Sequence, residues 1–245
     1  MIPFFRKIRE RLLSDRRLGK YLLYAAGEIL LVVIGILIAL YLDEQRDVRE
    51  DRRQEQVYLQ RFHRELELNL TDLDRVVSQS DSLVGRIDSL LSLKFGEIPP
   101  VSGRTFNRLG IGVVDYLIFQ STEASVEDLI GSGQLEIIRD EGIREAIATW
   151  HTGLMPIRSL ELDHKKAFND LLEYYKLHVE MFRIMRDQQI VDDAAQSKLL
   201  SDPVYFNTLT YHAIPLELLN REYRKKREEF RGLKSRVASQ LDTSF

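Results

Sequence analysis

The chain has 245 residues, with 35 Lys+Arg against 38 Asp+Glu, a net charge of −3 and no cysteine. The lack of cysteine excludes a disulfide framework, a thiolate metal site and a cysteine nucleophile. Residues 1–42 carry seven Lys/Arg and three Asp/Glu, which leaves 28 and 35 beyond them, net −7, and so acidic a domain argues against nucleic acid as a partner.

Residues 1–20 form a basic lead with Arg6, Lys7, Arg9, Arg11, Arg16, Arg17 and Lys20. Phe4, Phe5, Ile8 and Leu12 recur in it at helical spacing, which suits a helix lying in the headgroup layer. Arg6, Lys7, Arg9, Arg11 and Lys20 would be its interfacial anchors on anionic lipid.

Residues 21–42, YLLYAAGEILLVVIGILIALYL, contain one charged residue, Glu28. At about 1.5 Å per residue such a helix crosses a hydrocarbon core of roughly 30 Å. A cleaved signal peptide would need a shorter apolar run and a small-x-small site, which Ala39-Leu40-Tyr41-Leu42-Asp43 does not supply. A buried core helix would be shorter and broken by polar positions. The reading is an uncleaved signal anchor. Seven Lys/Arg precede the span, and four (Arg46, Arg49, Arg52, Arg53) follow closely, which predicts a cytoplasmic N-terminus and an exterior C-terminal domain.

Residues 43–58 open with mixed charges spaced three and four apart. They read as a charged helical stalk held by exposed pairs, or else as a flexible linker, although no Gly or Pro interrupts them. Residues 59–245 read as an antiparallel helical bundle, so the expected fold class is all-α. Leu59, Phe62, Leu66, Leu70, Leu73, Val76, Val77, Leu83, Ile87, Leu90 and Leu91 mark one amphipathic, coiled-coil-like helix with a polar gap at Ser80. Gly96, Pro99 and Pro100 end it. Residues 104–121 are β-prone around Val113 to Phe119, yet no second strand of comparable strength exists, so loop and short helix are expected.

Ser121 or Thr122 is the expected cap of a helix over Val126, Leu129 and Ile130 that ends at Gly131 or Gly133. Asp140 should cap the next helix, through Ile143, Ile147 and Trp150. Pro156 should restart or kink the chain into a long helix to about residue 186, with Ile157, Leu160, Phe168, Leu171, Tyr175, Val179 and Phe182 inward. Asp202-Pro203 starts the last helix, with Pro215 as a kink or break. Leu216, Leu219, Tyr223, Phe230, Leu233, Val237 and Leu241 give it an apolar face that should pack antiparallel against the 59–94 helix.

Glu28, Leu31, Gly35, Ala39 and Leu42 lie along one side of the span, and Gly35-x-x-x-Ala39 permits close helix approach. An acid within a span costs roughly 2.5–3.5 kcal/mol near the middle and is a functional candidate by default. Two readings stand: Glu28 pairs or takes up a proton at an oligomer or partner seam, or it reaches water or Lys20 and sets depth. Accessory subunits of ion-driven membrane motors are similar in layout, without motif identity.

Glu161 and His164 have the Glu-x-x-His spacing of di-iron bundles, but the second copy that such sites need is missing. His63, His151, His178 and His212 are scattered without ligand spacing. No phosphate-binding glycine loop or hydrolase elbow occurs, so no catalytic residue, cofactor or metal is expected.

Phe4-Phe5-Arg6-Lys7-Ile8-Arg9, Gly19-Lys20-Tyr21-Leu22-Leu23-Tyr24-Ala25 and the following span, together with Glu127-Asp128-Leu129-Ile130-Gly131-Ser132-Gly133-Gln134-Leu135-Glu136-Ile137-Ile138-Arg139-Asp140, resemble an uncharacterised bacterial family catalogued as domain of unknown function 6090. The resemblance implies a single-pass membrane protein with a helical exterior domain, and carries no activity or ligand. The expectation is therefore a bacterial inner-membrane protein with a periplasmic, non-catalytic binding, scaffold or sensory domain. Its partners would be the bilayer and, through the span, a second copy or another membrane protein. The alternative is an accessory subunit of an ion-driven complex that uses Glu28.

Overall fold

The computed structural model describes residues 18–182 and 193–241. It contains helices and irregular segments, with no strand among the described residues. The helices are α1 (Leu18–Phe95), α2 (Gly103–Gly112), α3 (Ala124–Gly131), α4 (Glu141–Ala148), α5 (Trp150–His178), α6 (Asp193–Ser201) and α7 (Pro203–Gln240), with a 3-10 turn at Leu135–Ile137. The chain divides into two compact units, Met1–Glu55 and Gln56–Phe245. The lead residues Arg6, Lys7, Arg9 and Arg11 lie outside the described residues, as does the side chain of Lys20.

In the first unit α1 exposes its apolar side chains all round: Leu22, Ile29, Leu31, Ile36 and Leu42 are each more than half exposed. Among the described residues one helix is long and apolar enough to cross a membrane, and none of its most apolar window is buried. Next come exposed charge pairs. Arg53 holds Glu50 at 3.0 and 3.2 Å, and Gln54 donates to the same carboxylate. Such pairs support a helix by a few tenths of a kcal/mol each.

The second unit is built on α1 from Gln56 onward, α5 and α7. Leu59, Phe62, Leu66, Leu73, Val76, Leu83, Ile87 and Leu90 are buried along one face of α1, as the three–four spacing predicts. Helix α7 runs antiparallel to it, also as predicted. Gln56 donates to the Gln240 carbonyl at 3.0 Å, Lys234 reaches Glu67 at 2.8 Å, Arg227 reaches Asp74 at 3.1 Å, and Asn220 reaches Asp81 at 2.8 Å. As one number rises the other falls. Gly96 ends α1 in the left-handed region (φ +70°), and Glu97 N donates back to the Ser92 carbonyl at 2.9 Å, a turn that a side chain at position 96 would strain.

Between α2 and α3 the chain runs extended, with Leu117 and Phe119 buried and Ile118 and Gln120 exposed. This is the alternation of a strand, as the β-prone composition suggests, but its ladder partners are side chains. Phe119 N donates to Glu161 (2.7 Å) and its carbonyl accepts from Arg158 (2.6 Å). The Ile118 carbonyl accepts from Arg75 (2.9 Å), and Gln120 N donates to Asp72 (2.8 Å). Thr122 N and O both pair with the Asn69 amide (2.7 and 2.8 Å). A backbone group left without such a partner would cost free energy on burial, so the helices supply the ladder.

Several local expectations need correction. Neither Ser121 nor Thr122 caps α3. The residue before it is Glu123, which makes no capping bond, and the first turn is capped from α1, where buried Glu65 accepts from Ser125 N (2.9 and 3.1 Å) and Ser125 Oγ (2.6 Å). Helix α5 starts at Trp150 rather than at Pro156. Pro156 sits exposed in the second turn of the helix, where it forgoes the bond to the Thr152 carbonyl without ending the helix. The helix ends at His178, and Phe182 is 66 % exposed rather than inward. Pro215 does not interrupt α7. Asp140 and Asp202 do cap α4 and α7, accepting from Ile143 N and Val204 N.

Candidate functional site

The apolar core of the second unit is in two parts. On α1 the first part runs from Leu59 to Val77 and the second from Leu83 to Leu93, with Ser80 between them; on α5 Ile157 belongs to the first and Leu171 to the second, with Glu161 and His164 between. Ser80, at the polar gap, is therefore fully buried, in the layer between the two apolar parts rather than at solvent.

Two arrangements are built on Glu161 and His164. Glu161, 6 % exposed, accepts through Oε1 from Phe119 N and from the Tyr223 hydroxyl (2.9 Å), and through Oε2 from Arg158 (3.1 Å). Burial, with the negative Glu161 beside it, pushes the Tyr223 phenol far above its ordinary range. Arg158 continues to Ser121 Oγ (3.1 Å), Ser121 Oγ donates to Glu123 (3.0 Å), and Glu123 also accepts from Trp150 Nε1 (2.8 Å). The network locks the extended segment to α5.

One turn further on, His164 stacks on His212 of α7, ring centroids 4.9 Å apart and planes 20° apart. Both rings are fully buried. His212 Nε2 pairs with the Val113 carbonyl at 3.1 Å, so that nitrogen carries the proton of the neutral ring. His212 Nδ1, both His164 nitrogens and Ser80 Oγ have no hydrogen-bond partner. Burial holds His164 down to about 3, with the neighbouring His212 as a lesser cause, and His212 down to about 4 against the opposing pull of the Val113 carbonyl and Asp115.

The Glu-x-x-His pair of the sequence is thus split. Glu161 is engaged by three groups of the chain, the Phe119 amide, the Tyr223 hydroxyl and Arg158, and His164 faces a histidine 48 residues away. His63 is half-buried, and His178 stacks on Tyr174 at 4.3 Å with Nδ1 against its carbonyl. Glu123, Glu127 and His151 come together at the surface, where His151 Nε2 lies 3.2 Å from Glu127. No linear spacing points to that trio, because its members sit on separate elements. In the first unit Glu28, Gly35 and Ala39 are all exposed, and a Cβ added at Gly35 would meet nothing within 4 Å.

These features define an all-helical protein with one N-terminal helix of membrane-spanning length and a cored helical unit. A family model described as a family of unknown function, DUF6090, matches residues 28–154, just over half of the chain, and the chain belongs to that family. No curated protein and no solved structure matches it.

Proposed function

We propose that the protein is a signal-anchored bacterial inner-membrane protein whose periplasmic helical domain acts by binding, as scaffold or sensory module, and not by catalysis. The observation that carries the anchor is the bare apolar surface of α1. Leu30, Leu31, Ile36, Leu37, Leu40 and Leu42 are 55–72 % exposed. A core helix would have buried them, and so large a contiguous apolar surface requires another phase to cover it. The orientation rests on the seven basic residues ahead of the span.

The binding reading draws on how the domain uses its polar groups. Its buried carboxylates, Glu65 and Glu161, are consumed in holding backbone. An open depression on the surface is lined by Leu93, Gly96, Glu97, Ile98, Pro99, Pro100, Gln196 and Leu200, with one ionisable group, Glu97. Neither arrangement sets a base against a nucleophile. Association through the span, with a second copy or another membrane protein, would use the side bearing Glu28, Gly35 and Ala39.

Single cysteines introduced from residue 34 to 42 test this, because the native chain has none. Self-crosslinks in membranes with a period of three to four on the Gly35 and Ala39 side are expected. Adducts to a different protein would replace the homo-oligomer with that partner. Loss of the cellular phenotype in Glu28→Gln, with insertion and crosslinking intact, would favour the ion-coupled accessory subunit instead.

A further inference from the structure

We propose that Glu123, Glu127 and His151 form a surface site for a divalent transition-metal ion of the Zn2+ type. Among the described residues they are the one group of three His, Cys, Asp or Glu side chains whose donor atoms all lie within 4.8 Å of one another. Glu123 immediately precedes α3, Glu127 lies one turn into it, and His151 is the second residue of α5. Two elements far apart in sequence thus deliver one imidazole and two carboxylates to one point.

The donor set selects the ion. Imidazole with carboxylates suits Zn2+ and its first-row neighbours, whereas Mg2+ and Ca2+ prefer oxygen alone. Donor-to-metal distances of about 2.0–2.2 Å require the three atoms to draw closer than they now stand. Glu127 and His151, 60 % and 54 % exposed at their side chains, are free to make that adjustment. Three protein donors leave a fourth position to water. Two negative charges offset a dication.

The surroundings add an independent feature. Trp150 Nε1 at 2.8 Å and Ser121 Oγ at 3.0 Å donate to the same oxygen of Glu123, Oε2, which orients the carboxylate. Outer donors of this kind fix a ligand's direction and strengthen its binding. Trp150 is itself immobilised, stacked on Phe230 at 4.8 Å and edge-on to Phe62 at 5.7 Å. It also precedes His151 in the chain, so the residue that steadies one ligand shares a helical turn with another.

That neighbour provides the readout, since it is the only tryptophan in the protein. Full-length protein in detergent, freed of any histidine tag and treated with chelator, is titrated with Co2+ while Trp150 emission is recorded. The expected result is saturable quenching at one ion per chain, reversed by Zn2+, whose filled d shell does not quench, and unaffected by equal Mg2+. His151→Ala and Glu127→Gln, both at exposed positions, should abolish saturation with an unchanged helical circular-dichroism spectrum. Quenching that never saturates, or that persists equally in His151→Ala, would overturn the site. The outcome is independent of whether the chain is membrane-anchored.

Discussion

His164 of α5 and His212 of α7 lie ring on ring, 4.9 Å between centroids, fully buried in the helical unit. Both are held neutral by burial, at about 3 and about 4 against an ordinary value of 6.5. Below pH 6.5 the unfolded chain therefore binds protons that the folded chain refuses, and stability falls as pH falls. The contribution is complete above 6.5, and the His212 part levels off near 4. Each histidine contributes a slope of up to about 1.4 kcal/mol per pH unit in that window. Urea unfolding at intervals from pH 7 to 4.5 should show the loss. His164→Leu, which removes a ring with no hydrogen-bond partner, should cut the slope by about half and leave the stability at pH 7 little changed.

Glu65→Ala should destabilise the domain by about 2–3 kcal/mol, because it removes a buried charged acceptor and leaves Ser125 N orphaned at the start of α3. Ser125→Ala removes only the hydroxyl bond, and about 1 kcal/mol is expected. Chemical denaturation gives both values, and equal losses would refute trans-capping by Glu65.

Tyr223→Phe deletes one donor to Glu161 at little change of volume and should cost about 1.5–3 kcal/mol, the range for a hydrogen bond to a charged group. Glu161→Ala should cost more, about 2–5 kcal/mol, since it removes the acceptor of both the buried Phe119 amide and the Tyr223 hydroxyl, while Arg158 keeps the Phe119 carbonyl and Ser121. In the double variant the two losses should fall well short of additive, as expected for groups in one network. Hydrogen exchange at Phe119 N should accelerate in Glu161→Ala and much less in Tyr223→Phe.

Gly35→Leu offers a clean test of association, because within the chain a side chain there meets open space. The substitution should leave insertion and the melting of the helical domain unchanged. If the span associates along its small-residue side, crosslinking from neighbouring positions should fall several-fold. Unchanged crosslinking would move the seam to another side.

Much of the helical frame is readable without coordinates. The buried apolar positions of α1 from Leu59 and of α7 from Leu216 follow from spacing, whereas Tyr205, Phe206, Leu209 and His212 at the start of α7 do not. Asp140 and Asp202 signal their helices through local chemistry that a short window contains. What escapes is long-range substitution of one partner for another. Ser121 and Thr122 look like caps because the rule is local, but Glu65 occupies that role from 60 positions away. Residues 117–119 look like a strand without a sheet, and nothing nearby announces that Arg75, Arg158 and Glu161 stand in for one. The stacked histidines, and the meeting of His151 with Glu127, are likewise consequences of how α3, α5 and α7 pack.

The antiparallel pairing of α1 and α7 puts the Gln56 side chain on the Gln240 carbonyl, 3.0 Å apart, so the two ends of the helical unit are neighbours. Tension applied across those ends would act as on a zipper. Gln56 and Gln240 would part first, then Glu67 and Lys234, then Asp74 and Arg227, each pair bearing the load alone before passing it to the next. The unit should thus peel at low force while resisting heat and denaturant with all of its contacts at once.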